Sequence, residues 1–192
     1  MPDRLYLSIW LRPNGADRLR QLERLLERFP FSKLAKRGPV LRVYAIEHAE
    51  PPLIEREFPL GTEPAVVLNA AREFAADDCC TLIDAFWDLW QLEVGESRDW
   101  KLGPAPVTLL CFGPEFENES GDHLRIDFGL DARFLPQKGA DTRVVQENIR
   151  SLLHLVGDVD RVLAPDRRTL WSESGANFAE VLASTLTALD VN

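Results

Sequence analysis

The sequence predicts an α+β domain, a two-layer sandwich in which a mainly antiparallel sheet of about five strands carries helices packed on one face. Three observations lead there. Residues 123–130 alternate, with Leu124, Ile126, Phe128 and Leu130 on one side and His123, Arg125, Asp127 and Gly129 on the other, the period of a half-buried strand. Residues 141–163 place Val145, Ile149, Leu152, Val156, Val159 and Leu163 at helical spacing. The elements follow one another as β, α, β, α, β, β, β, α, α, an order that suits helices layered on an antiparallel sheet.

Leu5 to Arg12 opens the chain as a strand, with Leu5, Leu7, Ile9 and Leu11 on one face and Tyr6, Ser8, Trp10 and Arg12 on the other. Pro13-Asn14-Gly15 ends it. A helix over about Asp17–Phe29 gathers Leu19, Leu22, Leu25, Leu26 and Phe29 on one stripe and shows Arg20, Glu23, Arg24, Glu27 and Arg28 outside, and Pro30 closes it. Lys33 to Gly38 is a basic connection. Val40–Glu47, bounded by Gly38-Pro39 and Pro51-Pro52, is apolar on parts of both faces and so belongs inside the sheet. Thr62-Glu63-Pro64 marks a helix start, and the helix runs to about Ala75, burying Val67, Ala70, Ala71 and Phe74.

Thr81 to Leu92 fits helix and strand alike. Phe86, Trp87 and Trp90 suit a pleated surface, so it is read as a strand with Asp84, Phe86, Asp88 and Trp90 on one side. Glu93–Pro106 reads as a turn-rich link, Val107–Phe112 as the partner strand of 123–130, and Gly113–Asp122 as the loop between them. Pro165 ends the long helix. A last helix over about Ser174–Ala188 turns Phe178, Val181, Leu182 and Leu189 inward.

With 192 residues, no repeat and no linker, residues 1–192 are expected to form a single domain. A chain of this size buries roughly 70% of the surface its unfolded form exposes, so it needs no external staple. Cys79 and Cys80 are adjacent and Cys111 is a lone third, which points to reduced thiols. No secretory leader pattern and no long apolar run is seen, so a cytoplasmic protein without a membrane segment is expected.

The net charge of −9 is uneven: residues 1–48 hold 10 Lys/Arg and 5 Asp/Glu, a balance of +5, and the remaining 12 and 26 give −14. The simplest account is a basic first third packed beside acidic elements of the same fold; the sharper one is a bipolar surface that orients self-association. So acidic a remainder argues against nucleic-acid binding.

Standard chemical signatures are absent. There is no phosphate-cradling Gly-x-x-x-x-Gly-Lys loop, dinucleotide glycine turn, Gly-x-Ser-x-Gly elbow, Cys-x-x-Cys pair or His-Glu-x-x-His helix. The acidic run Glu115, Glu117, Glu119, Asp122 fails as a calcium loop, because Ser120 and Ile126 stand where glycine and glutamate are required. No metal and no cofactor is expected. His154 lies off the core stripe of its helix and His48 at a strand end, whereas His123 alone sits near carboxylates, with Asp122, Asp127 and Asp131 close in sequence.

The remaining signal is the second face of the sheet. Tyr6, Trp10, Asp84, Phe86, Asp88, Trp90, Arg125, Asp127, Asp131 and Arg133 share the parity opposite the leucines. Aromatic side chains with arginine and carboxylates are the composition of an interface. The leading expectation is therefore a binding or self-associating module that uses this face, with a second copy, another protein or a small polar ligand as partner. The alternative is a small-molecule enzyme of hydrolase or lyase type, with His123 as acid/base and Asp84, Asp88, Asp127 or Asp131 in a cleft on the sheet. A subunit of a larger assembly is a third reading that sequence does not rank.

Overall fold

Among the described residues, seven strands form one antiparallel sheet. In the computed structural model, which describes residues 3–13, 17–94, 98–135, 142–174 and 178–183, they are β1 (Arg4–Trp10), β2 (Val40–Ala45), β3 (Ile54–Glu57), β4 (Cys79–Val94), β5 (Arg98–Phe112), β6 (Leu124–Leu130) and β7 (Arg167–Ser172). Their order across the sheet is β3-β2-β4-β5-β6-β1-β7. Helices α1 (Arg18–Leu26), α2 (Pro64–Arg72) and α3 (Thr142–Leu163) complete the frame, with a short helical stretch over 178–183.

Each helix follows from local chemistry. Asp17 caps α1 by accepting the Leu19 N–H at 3.0 Å. Pro64 occupies the first turn of α2, where its missing N–H costs nothing. All three helices turn their apolar stripes into one core, where Leu22, Leu68, Ile149 and Leu152 meet Leu5, Leu7, Ile9, Leu41, Val107, Leu124, Ile126 and Phe128 of the strands. Burying a leucine such as Leu22 completely contributes about 2 kcal/mol.

The sheet has more strands than the five expected. β3 is four residues long and carries three charges, too few apolar positions for a period to emerge, and β7 places Arg167, Arg168 and Thr169 before its one fully apolar contact, Leu170. Both are edge strands, where solvent exposure relaxes the alternation. β2 lies inside the sheet as its composition indicates, paired to β3 and β4.

The Glu93–Pro106 link is also corrected. The strand read over 81–92 extends to 16 residues and pairs in register with the 15 residues of β5, so most of the supposed link is a long hairpin arm. Pro104 and Pro106 suggested a turn, but they pair with Asp88 and Phe86. The Phe86 carbonyl accepts the Ser32 N–H at 2.7 Å, on the side away from β5. Phe86 and Pro106 therefore stand opposite one another without ladder bonds, and a proline sacrifices none there.

At the end of β6 the alternation breaks. Gly129 has φ +72°, the register against β1 shifts between Arg4 and Tyr6, and Leu130 emerges 43% exposed although its parity placed it on the apolar side. Asp131 is correspondingly buried, as the first residue of a 3-10 turn. Of the last predicted helix, Phe178 and Leu182 are buried and Val181 half-buried, while Leu189 lies outside the described residues. No helix among the described residues is long and apolar enough to cross a membrane.

Candidate functional site

Register converts parity into adjacency on the face opposite the helices. Val40, Asp84, Thr108, Asp127, Tyr6 and Trp171 form one row across six strands. Arg42, Leu82, Leu110, Arg125, Ser8 and Thr169 form the next, and beyond it Tyr44, Cys80 and Phe112 lead toward Trp10 and Arg167. This end carries a second, smaller core, in which Cys80, Leu110 and Phe112 are buried together with Phe116 from the loop after β5. His48 packs its ring edgewise on Tyr44 and Phe116, and burial lowers its pKa.

The charges of the rows are matched within the chain. Arg42 bonds Glu55 at 2.6 Å and also reaches Asp84, whose other oxygen accepts the Thr108 hydroxyl at 2.7 Å. Arg4 pairs with Asp127, which also accepts the Gly129 N–H at 2.8 Å. Arg125 forks onto Asp122 at 2.7 and 2.8 Å and lies over the rings of Phe112 and Tyr6. Burial pushes the Asp122 carboxyl up, but the hydrogen bonds from Arg125, Ser8 and Asn118 outweigh it and hold the group below its ordinary value. These cross-chain pairs join basic early residues to acidic later ones, the simpler account of the uneven charge.

The aromatic side chains of this face are likewise engaged. Tyr6 stacks on Trp171 with ring centres 4.7 Å apart, and burial with the carboxylates of Asp127 and Glu173 raises its phenol pKa. The Trp171 indole N–H donates to the buried Ser8 hydroxyl at 3.0 Å. Trp10 lies 3.7 Å beneath the Arg167 guanidinium. Trp90, expected on this face, instead donates its indole N–H to Glu147 of α3 at 2.5 Å. Arg133 donates to the Phe128 carbonyl at 2.9 Å, and burial lowers its pKa.

The expected acid/base constellation does not assemble. Tyr6, Arg125 and Asp127 are neighbours on β1 and β6, but Asp84 lies two strands from Asp127, roughly 10 Å, and His123 stands four residues along the strand from it, about 13 Å at the rise of a β-strand. Its Nδ1 accepts the Leu11 N–H at 2.9 Å, so the neutral ring carries its proton on Nε2 and offers no free lone pair. Burial and the nearby Arg18 lower the His123 pKa and keep it in that neutral form. Asp131 lies beyond the bulge, where it accepts the Asp3 N–H at 3.2 Å, and burial raises its pKa. Among the described residues no group of three or more His, Cys, Asp and Glu is placed to hold a metal ion. Cys80 and Cys111 are buried thiols, and burial pushes Cys111 up to about 12.

A concave site lies instead at a step in the sheet. β2 covers β4 only as far as the Val40 and Asp84 pair, and the outer edge of β4 beyond it is met by residues 31 and 32, through the Phe31 bridge to Trp87 and the Ser32 N–H. The segment between, Lys33 to Pro39, bows away from the sheet and leaves a cavity of about 410 Å³. Its floor is Ile83, Ala85 and Phe86, its walls are Leu26 of α1 and Val67 of α2, and its rim carries Phe31, Leu60, Lys33, Arg37 and Glu63. Phe31, Leu34 and Leu60 are exposed aliphatic or aromatic groups of this region.

Two devices hold the bowed segment. Asp88 accepts the Ser32 hydroxyl and, at 2.8 Å, the Lys33 N–H, while the Ser32 Oγ accepts the N–H groups of Leu34 and Ala35. Gly38 packs so tightly that an added Cβ would lie 2.2 Å from the Phe58 carbonyl oxygen and 2.5 Å from that of Pro59. Of the predicted site residues, Phe86 thus lines the cavity and Asp88 positions its wall. The rest of the lining escaped sequence reasoning because it comes from three separated segments. The one local signal is Gly38-Pro39 closing a basic stretch, and by itself it indicates only a connection.

In comparisons with known proteins, no family model matches the chain, and no curated protein or solved structure matches it either.

Proposed function

We propose that the chain is a non-enzymatic binding module whose ligand seat is the cavity at the step between β2 and β4, and that the ligand is a small amphipathic anion. The observation that carries this reading is the combination of an apolar cavity of about 410 Å³ with a rim holding Lys33 and Arg37 against the single carboxylate Glu63. That volume is in the range of small-molecule sites, roughly 300–1,000 Å³, which join apolar walls to a few polar groups. The ligand's apolar body would rest on Ile83, Ala85 and Val67, and its anionic group would face Lys33 and Arg37, which carries its guanidinium 5.3 Å from the Phe86 ring centre. The rows of the open face favour this seat over their own use, since their charges and rings already satisfy one another.

The test is a fluorescence titration with 1-anilinonaphthalene-8-sulfonate, an apolar anion, followed by displacement with dodecanoate. Saturable, displaceable fluorescence is expected. It should be lost in Ala85→Leu, which fills the floor, and weakened in Lys33→Glu/Arg37→Glu, with the melting temperature of the charge variant unchanged. Saturable fluorescence that both variants leave intact overturns the proposal, as does the absence of saturation.

A further inference from the structure

Two clefts of about 650 and 350 Å³ run along the seam between α1 and α3, and both are lined by Arg28, His154 and Asp158. Arg24, Glu27 and Arg161 complete the charged lining of the larger and Arg150 that of the smaller. Four guanidinium groups therefore converge where only two carboxylates stand, on a chain whose net charge is −9. Low-dielectric walls concentrate such a local excess and raise the concentration of anions near it.

The pairing in this seam differs from that on the sheet. On the sheet Arg4, Arg42 and Arg125 each meet a carboxylate, and at the end of α3 Arg168 meets Asp160. In the seam Asp158 is taken by Arg161 at 2.7 Å and lies 3.6 Å from His154 Nε2. Arg24 is turned to Gln21 at 3.2 Å. The guanidinium groups of Arg28 and Arg150 make no hydrogen bond or ion pair with any described residue. The polarity of a helix accounts for Arg24 and Arg161, each in the last turn of its helix. It gives no reason for Arg150, in the middle of α3, to share the smaller cleft with Arg28.

We infer that this seam binds the phosphate group of a phosphorylated small molecule, with Arg28 and Arg150 as its principal contacts. A guanidinium is a planar fork that meets phosphate oxygens two at a time, and two forks, one from the turn after α1 and one from α3, can hold one phosphate from two sides. The Ser151 side chain, also in the smaller cleft, is a further hydroxyl donor for that group. This site shares no lining residue with the amphipathic-anion cavity, so either reading can stand without the other.

The experiment is a calorimetric titration of the full chain with inorganic pyrophosphate at low ionic strength, paired with the arginine side-chain Nε–H signals in NMR spectra. Saturable binding is expected, with shifts at Arg28 and Arg150. Arg28→Gln and Arg150→Gln should each weaken it about tenfold or more, while Arg28→Lys should keep part of it by retaining the charge without the fork. Both arginines are exposed, so melting temperatures should hold. No saturable binding at millimolar pyrophosphate overturns the inference. So does affinity unchanged in the folded Arg28→Gln/Arg150→Gln variant, or affinity lost in Lys33→Gln/Arg37→Gln instead.

Discussion

Asn148 and Trp90 exchange two hydrogen bonds as if they were neighbours in a sheet: the Asn148 side-chain amide accepts the Trp90 N–H and donates to the Trp90 carbonyl, both at 2.9 Å. The same amide donates to the Arg133 carbonyl at 2.8 Å, and Asn148 is only 1% exposed. β2 has ended by this point of β4, so one side chain of α3 replaces a missing strand and ties helix to hairpin. Asn148→Leu would leave three backbone groups without partners, and urea unfolding should show a loss of about 2 to 4 kcal/mol. A smaller loss would mean that water reaches this edge of β4.

That contact also shows what the residue pattern could and could not reveal. Asn148 falls at helical spacing between Val145 and Leu152, a polar residue on the core stripe of α3, and such a residue announces a buried partner without naming it. The leucine faces of β1 and β6 and the stripes of α1 and α3 were legible because burial imposes a strict period on them. Parity placed Tyr6, Asp84, Arg125 and Asp127 on one face, and they do share it, but which of them touch depends on strand order, a long-range property. His123 was grouped with Asp127 by distance in sequence, whereas a strand separates residues steadily as it advances. The cavity lining has no local signature at all, since Leu26, Val67 and Ile83 meet only after the sheet and helices are assembled.

Ile46 occupies the left-handed region at φ 67° with its side chain 60% exposed. A β-branched residue is strained there, and it is held by its N–H bond to the Asp78 carbonyl at 2.8 Å and by the Glu117 N–H on its own carbonyl at 2.9 Å. Because so little of the side chain is packed, Ile46→Gly should release more strain than it loses in contact and chain entropy, stabilising the fold by about 0.5 to 1 kcal/mol in thermal unfolding. Ile46→Val, which keeps the branch, should change nothing. A destabilised glycine variant would show that the exposed isoleucine makes a contact worth more than its strain.

Asp122 and Asp131 should bend the acid limb of the stability curve in opposite directions. The folded Asp122 pKa is lowered, so its contribution is complete above the ordinary carboxylate value near 4 and is lost as pH falls below that value. The folded Asp131 pKa is raised by burial, so the folded state takes that proton first and gains stability as pH falls toward about 4. Urea midpoints measured from about pH 7 to about pH 2 should therefore show a steeper acid loss in Asp131→Asn than in Asp122→Asn over the range below 4. They should also show that Asp131→Asn removes a stabilisation the wild type gains above it. Parallel curves for the two variants would mean that neither carboxyl titrates differently in the folded and unfolded states.

Gly38 joins fold to proposed function most directly. An added Cβ meets two backbone carbonyl oxygens, those of Phe58 and Pro59, and neither can rotate aside as a side-chain tip could. The strand-like bond from the Phe58 N–H to the Pro39 carbonyl at 2.9 Å anchors the same two segments, so Gly38→Ala must push the 58–60 stretch away from the bowed wall. Leu60 stands on the cavity rim in that stretch. Gly38→Ala should lower the melting temperature by several degrees, in line with an overpacking cost of about 1 to 3 kcal/mol. It should also weaken anilinonaphthalene sulfonate binding at temperatures where the variant is still folded. Asp88→Asn, which removes the charge holding Ser32 and Lys33 on the opposite side of the same wall, should weaken binding with a smaller loss of stability. If both variants bind the probe as the wild type does, the wall they shape is not where the probe sits.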